Sequence, residues 1–136
     1  MKKQLKQVKE FHDAFGVINE KYPIVLPSKV WQLRGNLLEE ELEEYGEACN
    51  NEDLVEIADA LADQMYILIG TIQAHGLQDK IEEIFDEVHR SNMSKLNEDG
   101  KPIYRADGKV LKGINYSPPN IALILKPKYI KKQYEK

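Results

Sequence analysis

The chain has 136 residues, with 19 Lys+Arg against 23 Asp+Glu and a formal net charge of −4. That length suits a single domain, and 42% hydrophobic residues allow a real core beneath a well-solvated surface. One cysteine, Cys49, excludes an internal disulfide and fits a reducing compartment. The opening MKKQLKQVKEFHDAF has no continuous apolar run after its lysines, so it is no secretory signal. No stretch reaches the ~18 apolar residues of a membrane span, and the expected location is the cytoplasm.

Residues 2–16 read as an amphipathic helix, with Leu5, Val8, Phe11 and Phe15 at helical spacing and Gly16 as its stop. A loop with Pro23 and Pro27 follows. Ser28 is a candidate N-cap for a second helix over about 28–49, whose apolar face is Trp31, Leu38, Leu42, Tyr45 and Cys49. Asn50-Asn51 breaks it. A third helix runs from about Glu52 to Ala74 and ends near Gly76. A fourth reaches from about Gln78 to Met93, with Ile81, Ile84, Phe85 and Val88 inward. His12, His75 and His89 are scattered and read as surface or hydrogen-bonding histidines.

Composition changes after Lys95. Asp99-Gly100, Pro102, Asp107-Gly108, Gly113 and Pro118-Pro119 predict an irregular arm or a β-hairpin. Ile121 to Leu125 is an apolar patch that could dock the arm. The tail from Lys126 to Lys136 has five lysines against one glutamate and reads as solvated. The expected fold is all-α: a four-helix bundle over about 2–95 with a short non-helical or hairpin arm over about 96–136.

Charge is distributed unevenly. No lysine or arginine lies between Arg34 and Lys80, yet that window holds twelve acids, eleven of them from Glu39 to Asp63. At ~100° per residue, Glu56, Asp59 and Asp63 share one stripe of an otherwise apolar third helix, which predicts their burial. Buried carboxylates need pairing, protonation or a metal. On the second helix Glu41 and Glu44 are the expected inward pair, with Glu40 at the rim; Glu39, Glu43 and Glu47 are read as solvated. Two helices joined by a tight turn run antiparallel, so Glu41 and Glu44 face Glu56 and Asp59. An all-oxygen donor set suits Mg²⁺ or Mn²⁺ rather than a thiolate zinc site. Asp63 is either a further ligand or an acid bonded to a neighbouring helix.

Glu41-Leu-Glu-Glu44 followed by Glu56-Ile-Ala-Asp59 resembles the ExxE…ExxD signature of the all-α nucleoside triphosphate pyrophosphohydrolases, the MazG-like superfamily. That superfamily includes dimeric dUTPases and phosphoribosyl-ATP pyrophosphohydrolase. Phe11 to Gly16, then Pro27, Arg34 and Leu37, resemble the opening of a subgroup with dUTPase-like members. Glu87 to Lys95 and Gly100 to Arg105 do so as well. The resemblance covers roughly 8–125. It implies Mg²⁺-dependent hydrolysis between the α- and β-phosphates, giving a nucleoside monophosphate and pyrophosphate, with dUTP or another pyrimidine deoxynucleotide as substrate. It implies metal ligation by Glu41, Glu44, Glu56 and Asp59. Glu41 or Glu40 is the expected general base, and a Glu40/Glu43 register of the motif stays open beside Glu41/Glu44. Arg90 and Lys95 could balance phosphate charge, and Asn92 could read a base edge or a sugar hydroxyl. A homodimer or homotetramer is expected; membrane and nucleic acid are not expected partners. Two other readings stand beside this one: a phosphoribosyl-ATP pyrophosphohydrolase, and a non-catalytic metal- or nucleotide-binding regulator.

Overall fold

The computed structural model describes residues 1–126, so the lysine-rich tail lies outside the described residues apart from Lys126. The helices are α1 (Lys2–Phe15), α2 (Ser28–Asn50), α3 (Leu54–Ala74), α4 (Ile81–Met93) and the short α5 (Ile121–Leu125). The protein is all-α with a largely non-helical C-terminal arm. It divides into two units, Met1–Asp79 with α1 to α3 and Lys80–Lys136 with α4 and α5.

In the first unit, α1 and α2 both pack on α3. Gly16 ends α1 as expected: its left-handed φ of 69° is cheap without a Cβ, and its N–H bonds to the His12 carbonyl. The buried stripe of α1 is Leu5, Val8 and His12, while Phe11 and Phe15 are exposed. Those two rings stack with centroids 4.4 Å apart, and Phe11 meets Tyr66 of α3 edge-on at 5.6 Å. His12 is therefore a core histidine. Its Nδ1 lies 3.1 Å from the Ile18 carbonyl and 3.0 Å from Asn19 Oδ1. Burial holds its pKa below the ordinary histidine value, which favours the neutral ring. His75 Nδ1 is likewise used, at 2.8 Å from the Ile24 carbonyl.

The expected cap of α2 is displaced by one residue. Pro27 holds the N-cap position, Ser28 is the first helical residue, and no side-chain cap forms. The inward face of α2 is also rotated, by roughly 70° from the apolar stripe read in the sequence. Arg34 and Ala48 are buried, Leu38, Glu41 and Tyr45 are half-buried, and Trp31, Leu42 and Cys49 face outward. Hydropathy alone misplaces this face because Arg34 is charged yet buried; Glu41, expected inward, is half-buried. Cys49, expected to pack within the helix pair, is exposed. After a three-residue spacer a real cap starts α3: Asp53 Oδ1 accepts from the Val55 and Glu56 amides at 3.0 and 3.1 Å.

In the second unit the expected hairpin is reduced to one isolated bridge, Tyr104 to Val110. Polar ties hold the arm to α4 instead. The Gly113 amide donates to the Lys95 carbonyl at 2.9 Å, and the Ser117 amide to Ser94 Oγ at 2.9 Å. The Asn120 amide donates to Glu87 Oε1 at 2.8 Å. Helix α4 begins at Ile81, three residues later than expected.

Candidate active site

The α2–α3 turn positions the acids. Only Asn51, Glu52 and Asp53 separate the helices, so α2 and α3 return antiparallel and the acid-rich half of each faces the other. Glu52 takes a left-handed φ of 53° to make that turn. Gln64 Nε2 of α3 donates to the Glu41 carbonyl at 3.2 Å, which sets Glu41 beside the middle of α3.

Glu41 is the one half-buried acid of the window, and its Oε2 is buried with no hydrogen-bond partner. Burial first, then the charges of Glu44, Asp63, Asp59 and Glu40, push its carboxyl above the ordinary carboxylate range. One Glu41 oxygen thus lacks a donor while four other acids act on the carboxyl, an arrangement that a divalent cation would relieve. Among the described residues, no acid from Glu39 to Asp63 makes an ion pair.

The expected burial of the α3 acid stripe is overturned. Glu56, Asp59 and Asp63 are all exposed, and the buried residues of α3 are Ala60, Ile69, Gly70, Gln73 and Ala74. The stripe is apolar-flanked because another face of α3, with Leu54, Leu61, Met65 and Leu68, is itself exposed. Glu44 is exposed as well, although its charge acts most strongly on Glu41, and so is Glu40. Among the described residues no three His, Cys, Asp or Glu side chains converge into a finished metal cage. Mutual repulsion between carboxylates accounts for that splay, and a divalent cation would reverse its sign. An all-oxygen donor set with an orphaned buried oxygen fits Mg²⁺ or Mn²⁺.

Of the sequence-based candidates, Glu44, Asp59 and Glu40 lie near enough for their charges to act on Glu41, as does Asp63, but their side chains do not converge on one point. Glu56 sits one turn before Asp59, in the first turn of α3. Arg90, Asn92 and Lys95 gather at the end of α4. Arg90 is held by both Glu87 oxygens, at 2.7 and 2.8 Å, and donates to the Pro118 carbonyl at 3.2 Å. Lys95 Nζ donates to Asn92 Oδ1 at 2.8 Å. Glu87 answers Arg90 with a carboxyl held down to about 2, by the Arg90 hydrogen bonds and then by the Asn120 amide.

The sequence pattern of the phosphoribosyl-ATP pyrophosphohydrolase family matches residues 8–92. The chain belongs to that family. It is a pyrophosphohydrolase of the MazG-like all-α superfamily. The matched span holds every acid of the cluster together with Arg90 and Asn92, and leaves Lys95 and the arm outside it. Among solved structures, a protein from Exiguobacterium sp. 255-15 proposed to be an NTP pyrophosphohydrolase is 24% identical. The match covers 96% of this chain and 95% of that one, with a TM-score of 0.48. No protein of curated function matches the chain. Among the described residues, no helix of the pyrophosphohydrolase is long and apolar enough to cross a membrane.

Proposed function

We propose that this pyrophosphohydrolase acts on a nucleoside triphosphate in a Mg²⁺-dependent reaction. Water adds at the α-phosphorus, the bond to the bridging α,β-oxygen breaks, and a nucleoside monophosphate and pyrophosphate leave. The carrying observation is Glu41, half-buried, with one orphaned oxygen, four acids acting on it and, among the described residues, no basic side chain paired to it. A triphosphate is itself a polyanion and would be repelled by this cluster unless divalent cations lay between them. Glu41, Glu44, Glu56 and Asp59 would hold the metal, with Asp63 as a further oxygen donor; Mn²⁺ could replace Mg²⁺. When bound, the metal neutralises the phosphates and lowers the pKa of the attacking water.

The chain's own residues supply the rest. Glu41 would accept the water proton through an oxygen that the metal leaves free, with Glu40 beside it in sequence as the second candidate. Arg90 and Lys95 would offer positive charge to the phosphates, and Asn92 a donor and an acceptor to base or sugar. A pyrimidine deoxynucleotide, dUTP first, is the substrate class we favour, on the resemblance to dUTPase-like members.

Self-association into a dimer or tetramer belongs to the same reading. Leu54, Leu61, Met65 and Leu68 form an exposed apolar line on α3, and covering such a line in a second copy releases its water. A monomeric mass by light scattering at micromolar concentration, with full activity, would refute this part.

The test of the reaction is a panel of nucleotides assayed for pyrophosphate release with and without Mg²⁺. Metal-dependent release from one or two triphosphates, pyrimidine deoxynucleotides foremost, is expected. Release from phosphoribosyl-ATP alone, or from no nucleotide, would overturn the substrate assignment.

A further inference from the structure

We propose that Arg34 is a positioning residue: it sets the register of α2 on α3 that brings Glu41 among the acids of α3. The inference rests on the metal-site reading above and goes beyond it, because Arg34 lies outside the acidic cluster.

Arg34 is buried, and among the described residues it makes no ion pair. A buried guanidinium without a carboxylate is costly, so plain packing is a poor reason for its presence. Its bonds are directional instead. Nε donates to Thr71 Oγ1 at 3.0 Å and Nη2 to the Ile67 carbonyl at 2.7 Å. Thr71 Oγ1 itself donates to the same Ile67 carbonyl at 2.8 Å, so the fork meets a pre-set pair of acceptors. The planar fork of arginine suits such a two-point grip, and a lysine ammonium does not.

The spacing ties this grip to Glu41. Arg34 and Glu41 are seven residues apart on α2, and Thr71 and Gln64 are seven apart on α3. Gln64 Nε2 donates to the Glu41 carbonyl. The two cross-helix ties therefore stand two turns apart on both helices, ~10 Å along the axis. Two ties at matched spacing fix translation along the axis, which a single tie or an apolar seam leaves free to slip. Gly70 makes the approach possible. A Cβ there would lie 2.6 Å from Arg34 Nη2 and 2.6 Å from His12 Nε2. Sequence pattern gives little sign of this, because a lone arginine at a core position reads as surface.

The test measures Mn²⁺ binding to nucleotide-free protein by isothermal titration calorimetry, beside thermal melting, for five forms of the full chain. These are wild type, Arg34→Lys, Thr71→Val, Thr71→Ser and Leu5→Ala. Leu5 is in the α1–α3 contact, so Leu5→Ala lowers melting temperature without touching the α2–α3 register. The expected result is about tenfold weaker Mn²⁺ binding in Arg34→Lys and about threefold in Thr71→Val. Thr71→Ser restores the hydroxyl acceptor and wild-type affinity, and Leu5→Ala binds Mn²⁺ as wild type does. Should Arg34→Lys fail to fold, the Thr71→Val and Thr71→Ser pair carries the test. Unchanged Mn²⁺ affinity in Thr71→Val would overturn the proposal, as would equal weakening in Leu5→Ala. Absence of Mn²⁺ binding in wild type would overturn the metal-site reading itself, a different outcome.

Discussion

Asp13 of the first unit pairs with Lys9, but the acids of that unit's Glu39–Asp63 window differ from three carboxylates of the second unit. In the second unit Glu83, Glu87 and Asp107 each have a cation: Lys80 at 3.2 Å, Arg90 at 2.7 Å and Arg105 at 2.5 Å. Glu87 also takes the Asn120 amide and thereby ties the arm to α4. In the first unit the acids from Glu39 to Asp63 have no cationic partner among the described residues, and Glu41 keeps a buried oxygen without a donor. Paired carboxylates are spent on structure. Unpaired ones remain available to a ligand, and on the metal-site proposal a bound divalent cation would relieve the charges that act on Glu41.

Removing acids should therefore have opposite effects in the two units. The largest effect is expected for Asp59→Asn and Glu56→Gln, which should lower kcat more than about 100-fold, the upper range for losing even indirect support of a metal. Helical circular dichroism should be unchanged, and the metal-free melting temperature should hold or rise as repulsion falls. Most of the wild-type turnover surviving in both variants would sink the metal-site assignment.

Glu41→Gln should match that loss and add a signature in pH. The folded-state pKa of Glu41 is raised, so the folded protein binds its proton more tightly than the unfolded chain does. Stability of the metal-free wild type should thus fall as pH rises from about 4.3, the unfolded glutamate value, through the raised one. Equilibrium denaturation across that range should show the decline in wild type and its loss in Glu41→Gln. The same slope in both would show that Glu41 is not the group responsible.

Cutting the chain after Asn97 should have an intermediate effect. Tyr104 and Arg105 are exposed in the arm, Arg105 already pairs with Asp107, and Lys112 lies 4.5 Å over the Tyr116 ring. The expected outcome is a raised KM for the nucleotide with most of the helical signal kept. An unchanged KM would exclude the arm from binding, and a collapsed helical signal would make it structural.

Glu87→Gln should have the smallest effect, and its sign is opposite to that of Glu41. A carboxyl held down to about 2 stabilises the fold above the unfolded value near 4.3, and that contribution is lost as pH falls toward 2. The pair is solvent-facing, so salt should screen it. Melting curves of Glu87→Gln and wild type should differ at neutral pH and converge in acid; a gap that persists at pH 2 would assign the loss to the Asn120 tie instead.

Much of this was legible in the sequence for physical reasons. Helix ends marked by Gly16, Asn50-Asn51 and Gly76 are readable because turns need special backbone or side-chain chemistry. The acid cluster was readable because a carboxylate run without cations is unusual at any fold. Burial was not. The α3 acids read as buried because their neighbours are apolar, yet Leu54, Leu61, Met65 and Leu68 are themselves exposed. Hydropathy reports what a face prefers, not whether one chain provides a neighbour to cover it. On α2 the converse holds for Arg34, which is charged yet buried, while Trp31, Leu42 and Cys49 are apolar yet exposed; Glu41, expected inward beside Leu38 and Tyr45, is half-buried.

If the first unit's unpaired acids hold a divalent cation, titrating Mn²⁺ into the nucleotide-free protein, wild type against Glu41→Gln and Asp59→Asn, will register it. Saturable binding by wild type, weakened at least about tenfold in each variant, is the predicted result. Equal affinity in all three proteins, or no binding by a wild type that still releases pyrophosphate, would contradict it.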